Sequence, residues 1–297
     1  MWLPVAVWVL VTACSTASPS APTKRAPRVE RLQLGSLEAY ALEDGELEVP
    51  NDGTLVGVGQ SPAELGDLLA AAGVARDTIH LDIQCLLVRA ADRVMLFDTG
   101  TGDPTLALGG RLAQSLVHAG IAPAAVTDIF ISHAHSDHVG GLVTKAGVLA
   151  FPSATIHMSA LEWAALRANT DDDSKRLVAA ISAKVAPFEP GAQVLPAVKA
   201  VATLGHTPGH SSYEIGLDEK LFYLGDVAHH SIISVQRPAF AIAVDGDAPA
   251  AAAMRQQTLA ALAAAHTRVF ATHFPFPGVG KVVAEGAGLA WKPEPSR

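Results

Sequence analysis

Cysteine is nearly missing from this chain of 297 residues, which holds only Cys14 and Cys85. Cys85 lies in the run Ile83-Gln84-Cys85-Leu86-Leu87-Val88, which reads as a buried strand and makes it a small core residue. With Cys14 acylated or removed, no disulfide can form within the chain, so the cysteines are silent on redox compartment. A basic surplus is also absent. Lys and Arg number 21 against 29 Asp and Glu, a formal charge of −8, which provides no electrostatic drive toward a phosphate backbone and argues against a nucleic-acid partner. Short repeats of the solenoid kind do not occur. The apolar stretch at residues 3–13 is too short to span a bilayer.

That stretch suits the h-region of an export signal, although Met1-Trp2-Leu3-Pro4 carries no positive n-region. Val11-Thr12-Ala13-Cys14 resembles a bacterial lipobox, in which the cysteine is acylated and becomes the new N-terminus. Residues 1–14 are therefore expected to be a signal and lipobox segment. Export follows, either to the periplasm or as a membrane-anchored lipoprotein, with the lipid as the only expected membrane contact. Residues 15–28, rich in proline and small polar side chains, read as a flexible tether. Hydrophobic residues make up 49% of the chain and charged residues 17%, enough apolar material for one large core, and residues 29–297 are read as a single domain.

Within that domain, Ser61-Pro62-Ala63-Glu64 has the form of a capping box, with Gly73 closing the helix after it. Ile79 to Val88 and Val94 to Phe97 read as strands. A helix is expected from about Thr105 to Ala119 and a strand from Val126 to Ser132. Ser159-Ala160-Leu161-Glu162 forms a second capping box. Strands are expected near Lys199–Leu204, Ser212–Gly216 and Leu221–Gly225. Asp247 caps a helix over Pro249–Ala265 that feeds a strand at Arg268–Thr272. Strands and helices alternate in two successive blocks, which is an α/β pattern.

Residues of chemical interest sit at or just past the strand ends. His133-Ala134-His135-Ser136-Asp137-His138 places three imidazoles and a carboxylate in six residues after an apolar strand. Imidazole and carboxylate are good ligands for zinc and its neighbours, and i, i+2 spacing on extended chain points two imidazoles the same way. A His-rich loop can also be merely solvated, but here it keeps company. Gly205-His206-Thr207-Pro208-Gly209-His210, Gly225-Asp226 and Thr272-His273 each follow a further strand.

In these motifs and their order the chain resembles the metallo-β-lactamase superfamily, from about residue 30 onward. The resemblance implies a four-layer αβ/βα sandwich and a site for two divalent metal ions, zinc foremost. It implies that His133, His135 and His206 bind one metal, that Asp137, His138 and His273 bind the other, and that Asp226 bridges them. The chemistry implied is hydrolysis by a hydroxide bridging two metals, whose residual positive charge stabilises an oxyanion. Asp137 is thereby both ligand and part of the catalytic machinery. Asp98 resembles the family's Asp-Thr-Gly turn, either orienting a ligand or simply forming the turn. His210 is ambiguous, and His118, His157 and His266 receive no function.

Within the superfamily, zinc β-lactamases lack a bridging carboxylate where Asp226 stands, and glyoxalase II adds a helical domain for which the short stretch after His273 leaves no room. RNA-processing members add a clamp domain or basic exosite, and flavodiiron proteins a flavin domain. The nearer resemblance is to the branch of methyl parathion hydrolase and the acyl-homoserine lactonases. Three features carry it: the export leader, a histidine three residues after the bridging Asp in Gly225-Asp226-Val227-Ala228-His229, and the core's end at His273-Phe274-Pro275-Phe276-Pro277-Gly278.

His229 stands where lactonases place a tyrosine and either assists the carbonyl oxygen or leaving group or only hydrogen-bonds a ligand. Phe274 and Phe276 either line a pocket wall or belong to the core. Leu55-Val56-Gly57-Val58-Gly59 could fold over the site. The expectation is a small-molecule hydrolase of neutral lactones or aryl esters. The alternatives are a phosphotriester or β-lactamase-like hydrolase on the same site and a zinc-binding protein without turnover.

Overall fold

The computed structural model describes residues 25–102 and 109–295. The signal, the lipobox and most of the expected tether thus lie outside the described residues. The first half of the chain forms β1 (Val29–Leu34), β2 (Leu37–Pro50), β3 (Val56–Val58), α1 (Pro62–Ala71), β4 (Thr78–Arg89), β5 (Val94–Phe97), α2 (Leu112–His118), β6 (Asp128–Phe130), α3 (Ser136–Val139), β7 (Thr155–Ser159), α4 (Ala160–Ala168), α5 (Asp172–Ile181) and β8 (Val185–Phe188). The second half forms β9 (Gln193–Leu195), β10 (Val198–Ala202), β11 (Ser211–Ile215), β12 (Leu221–Tyr223), α6 (Ile233–Gln236), β13 (Ala241–Ile242), α7 (Ala248–Ala264), β14 (Arg268–Phe270), β15 (Val279–Glu285) and β16 (Gly288–Pro293).

Two seven-stranded sheets result, in the orders β1-β2-β4-β5-β6-β7-β8 and β16-β15-β14-β12-β11-β10-β9. Period-two alternation decides which layer each side chain joins. In β5, Met95 and Phe97 face the second sheet while Leu96 faces the helices; in β12, Leu221 and Tyr223 turn inward while Phe222 turns toward α7. The inner core brings Phe97 and Phe130 of one sheet against Tyr213, Tyr223 and Phe270 of the other. Outside it, Leu112, Leu116, Trp163, Leu166 and Ile181 from the helices cover the first sheet. Leu259 and Leu262 of α7 cover the second. Helix, sheet, sheet, helix is the expected αβ/βα sandwich. No helix among the described residues is long and apolar enough to cross a membrane.

Several local expectations need correction. The helix placed from about Thr105 begins at Leu112 in the described residues, after Gly110 adopts φ +77°. The buried Asp44 carboxylate accepts hydrogen bonds from Thr101 N, Gly110 N and Leu112 N, and so starts the helix from across the sheet. Ser61 precedes α1 but makes no capping hydrogen bond. The core does not end at Gly278: β15 and β16 form a hairpin on β14, and Trp291 meets the Phe274 ring edge-on at 4.9 Å. Leu55-Val56-Gly57-Val58-Gly59 is no free cover, because Val56 is buried and β3 pairs with β13.

Candidate metal centre

Four connections converge where the two sheets meet. The chain after β6 carries His133 and then His135 in extended backbone, and turns into α3, which carries Asp137 and His138. The chain after β10 carries His206, that after β12 carries Asp226, and that after β14 carries His273. Each of these strands stops and hands its ligand-type side chain to the loop that follows, as loop-borne sites on rigid scaffolds require.

These residues form two groups. His133, His135, His206 and Asp226 converge in one, and Asp137, His138 and His273 in the other. In the first, His206 Nε2 lies 3.1 Å from His133 Nε2 and 3.0 Å from His135 Nδ1. Asp226 faces both groups with separate oxygens. Its Oδ2 is 3.4 Å from His206 Nε2 and 3.7 Å from His133 Nε2, whereas its Oδ1 is 3.2 Å from both His138 Nε2 and His273 Nε2. Asp137 Oδ2 stands 3.6 Å from the same two nitrogens.

The outward nitrogens fix the tautomers. A carboxylate only accepts, so His138 Nδ1 donates to Asp98 at 2.7 Å and His206 Nδ1 to Asp245 at 2.9 Å. His273 Nδ1 donates to the Asp82 carbonyl at 2.9 Å. Ser132 Oγ donates to Asp98 at 2.6 Å and so accepts from His133 Nδ1 at 3.0 Å. Each of these imidazoles therefore turns its Nε2 inward, as a bare lone pair at His133 and His206 and as a nitrogen that gives up its proton to an entering cation at His138 and His273. Lone pairs facing one another at about hydrogen-bond distance repel, and His138 Nε2 and Asp226 Oδ1 are buried without a hydrogen-bond partner. Cations satisfy such an array, and imidazole with carboxylate is a donor set that divalent metals accept. The residues present fit two metal ions.

Titration separates the groups. Burial drives His133, His135 and His206 below the usual imidazole range, His206 to about 3. Burial also opposes charge on His138 and His273, but Asp226 and Asp137 outweigh it, with Asp98 adding at His138, and both are raised. The same pairing holds Asp226 well below the carboxylate range despite its burial.

The ambiguous residues acquire places. Asp98, at φ +57°, accepts from Ser132 N, Ser132 Oγ, His138 Nδ1 and Tyr223 Oη, so it orients the His138 ring as well as forming the turn. His210 Nδ1 faces Thr203, and its Nε2 accepts the Asp226 N–H at 2.9 Å. A Cβ on Gly225 would meet His210 Nε2 at 2.7 Å, which explains the glycine before Asp226. His229 is buried, its Nε2 3.0 Å from Asp226 Oδ2 and its ring parallel to His273 at 5.6 Å. Both of its nitrogens lack a hydrogen-bond partner. Phe274 is fully buried in the outer core of the second sheet, and Phe276 packs against the inner core beneath the Arg28 guanidinium. Phe274 thus belongs to the core, whereas Phe276 is half-buried and packs at the core's margin.

Sequence reasoning missed Asp245 and misread Glu162. Asp245 accepts the His206 Nδ1–H hydrogen bond on one oxygen and one from the buried Arg255 on the other at 2.8 Å. Glu162 does not return to its own helix as a capping box would; its carboxylate accepts from Ala134 N, Thr207 Oγ1 and Gly209 N. A third group, Glu46, His80 and Asp82, also has metal-ligand chemistry, but Asp82 is already committed to Arg28 and to Phe276 N.

A sandwich of this order with His and Asp groups that could hold metal at its seam is the frame of a metal-dependent hydrolase. Residues 80–273 match the metallo-beta-lactamase superfamily, and the chain belongs to it. No curated protein sequence matches the chain. Among solved structures it is similar to AidC, a dizinc quorum-quenching lactonase in complex with a product, N-hexnoyl-L-homoserine. The two share 29% identity over 92% of this chain and 99% of that one, with a TM-score of 0.87. It is also similar to AbOPH, a hydrolase in the beta lactamase superfamily, at 26% identity over 93% and 100% of the chains with a TM-score of 0.81. A probable metal-dependent hydrolase from Staphylococcus aureus shares the fold at 18% identity, covering 90% and 100%, with a TM-score of 0.73.

Proposed function

We propose that this hydrolase opens neutral lactones, or cleaves aryl esters, at a centre of two divalent ions, zinc foremost. The observation that carries the reading is Asp226, whose two oxygens address different histidine groups. The likeness to AidC supports lactones and zinc. When bound, two such ions lower the pKa of a shared water toward neutrality and draw charge from a carbonyl oxygen. Asp226 and Asp137 offset part of the cationic charge, leaving a surplus that suits an oxyanion.

His229 is the proton carrier in this reading. Its unpartnered nitrogens lie beside the carboxylate that joins the groups, within reach of a departing alkoxide. Ring opening of a lactone needs a proton on that oxygen, and no serine or cysteine is required as nucleophile. The test is kcat/KM on metal-replete protein across neutral lactones, aryl esters, phosphotriesters, glutathione thioesters and β-lactams. Lactones or aryl esters should lead, and preference for an anionic thioester or a β-lactam would overturn the assignment.

Export and lipid anchoring are part of the same proposal and rest on residues 1–14 of the sequence. Cys14→Ser should shift the protein from the membrane fraction to the soluble one, and unchanged fractionation refutes the anchor.

A further inference from the structure

We infer that Glu162 is a positioning residue that assembles the first metal group, a conclusion that rests on the two-metal reading above. The three imidazoles of that group come from two connections in different halves of the chain, one after β6 and one after β10, and Asp226 joins them from a third, after β12. Glu162 stands in the first turn of α4, where Ser159 Oγ accepts its backbone N–H at 3.2 Å. With the helix cap made by Ser159, the Glu162 side chain is free to point elsewhere. Its Oε1 accepts from Ala134 N at 2.8 Å, between His133 and His135. Its Oε2 accepts from Thr207 Oγ1 at 2.7 Å and Gly209 N at 2.9 Å, flanking His206. One buried carboxylate thus spans both connections and touches the neighbours of all three imidazoles.

Two further hydrogen bonds join the same parts of the chain, Ser211 N to Ser132 O and Tyr213 Oη to Ile131 O, but they are made from β11, past His206, to residues ahead of His133. Glu162 acts beside the ligands themselves. The close fit is built into the sequence: a Cβ on Gly209 would meet Glu162 N at 2.1 Å, so only glycine lets the second connection approach α4. Lone pairs that repel one another do not gather unaided, and a carboxylate with three donors is a strong means of holding them. The second group has no contact with Glu162 in the hydrogen bonds described.

The prediction is selective loss. Glu162→Gln keeps an acceptor for Ala134 N but sets an amide N–H₂ against a backbone N–H donor on the other side. Thr207→Val removes one hydroxyl donor at nearly constant shape. Both should weaken the first metal site, the Gln variant about 10–100-fold and the Val variant less, with the second site unchanged. Zinc affinities are read by stepwise competition with a chromogenic chelator, and His206→Ala and His273→Ala identify which step belongs to which site. The cobalt-substituted protein supplies an independent spectrum of the first site. Unchanged affinities in both variants, or equal loss at both sites, would overturn the inference. A parent protein that fills fewer than two sites would instead contradict the two-metal reading, and this inference with it.

Discussion

The two ligand groups are built on opposite electrostatic plans. The first gathers three imidazoles that burial keeps neutral, with Asp226 contributing one oxygen at its edge. Asp245 and Glu162 brace it, so its lone pairs are held before any cation arrives. The second sets two imidazoles among Asp137, Asp226 and Asp98, and these carboxylates raise both imidazoles against the pull of burial. A cation entering the first group meets lone pairs, whereas one entering the second displaces protons. The difference teaches that affinity can be prepared by rigid support in one place and by stored negative charge a few ångströms away.

The harshest way to break this contrast is Asp226→Asn. It removes the one side chain common to both plans, so both metal sites should weaken and the rate should fall by several orders of magnitude. Elemental analysis and kcat measured on one preparation check it, and normal rates with both metals present would place the nucleophile elsewhere. His229→Ala should have a smaller effect, a loss of about 10²-fold in kcat with both metals retained, as expected for a proton carrier. Loss of metal from the first site instead would make His229 a ligand of that group.

Acid should sharpen the contrast with the least effect on rate constants. Because the pKa values of His138 and His273 are raised, their protons bind at higher pH and compete with metal there first. His206 takes a proton only near about 3, so as pH falls from neutrality the second site should empty before the first. Metal retained after gel filtration at stepped pH, with His273→Ala as the reference for a lost second site, reads the order. Simultaneous or reversed release would contradict the electrostatic account.

The ligand-type residues were legible because each lies in a local motif at the end of a strand pattern: His133 to His138 in one hexad, His206, Asp226 and His273 each after its own apolar run. The alternation of strands and helices made the layered α/β architecture readable too. Their supports were not legible. Asp245 reaches His206 across 39 positions and Asp82 reaches His273 across 191, and no local pattern encodes such a meeting. Glu162 satisfied a capping-box pattern and was spent on a tertiary contact, a case where folding overrides a local rule. Phe274, next to a ligand in sequence, belongs to the core because the β15–β16 hairpin, with no strong signal of its own, covers it.

Each ligand group draws members from both halves of the chain, and this makes metal supply a matter of mechanical integrity as well as chemistry. An ion bound across the seam is a cross-link that only the folded state can form. By mass action a ligand at about 100 times its Kd stabilises the native state by about 2.7 kcal/mol. The surrounding concentration of free metal therefore adds to the grip that the inner core already has on the two sheets, and a protein starved of it loses that part of its resistance to being pulled apart along the seam.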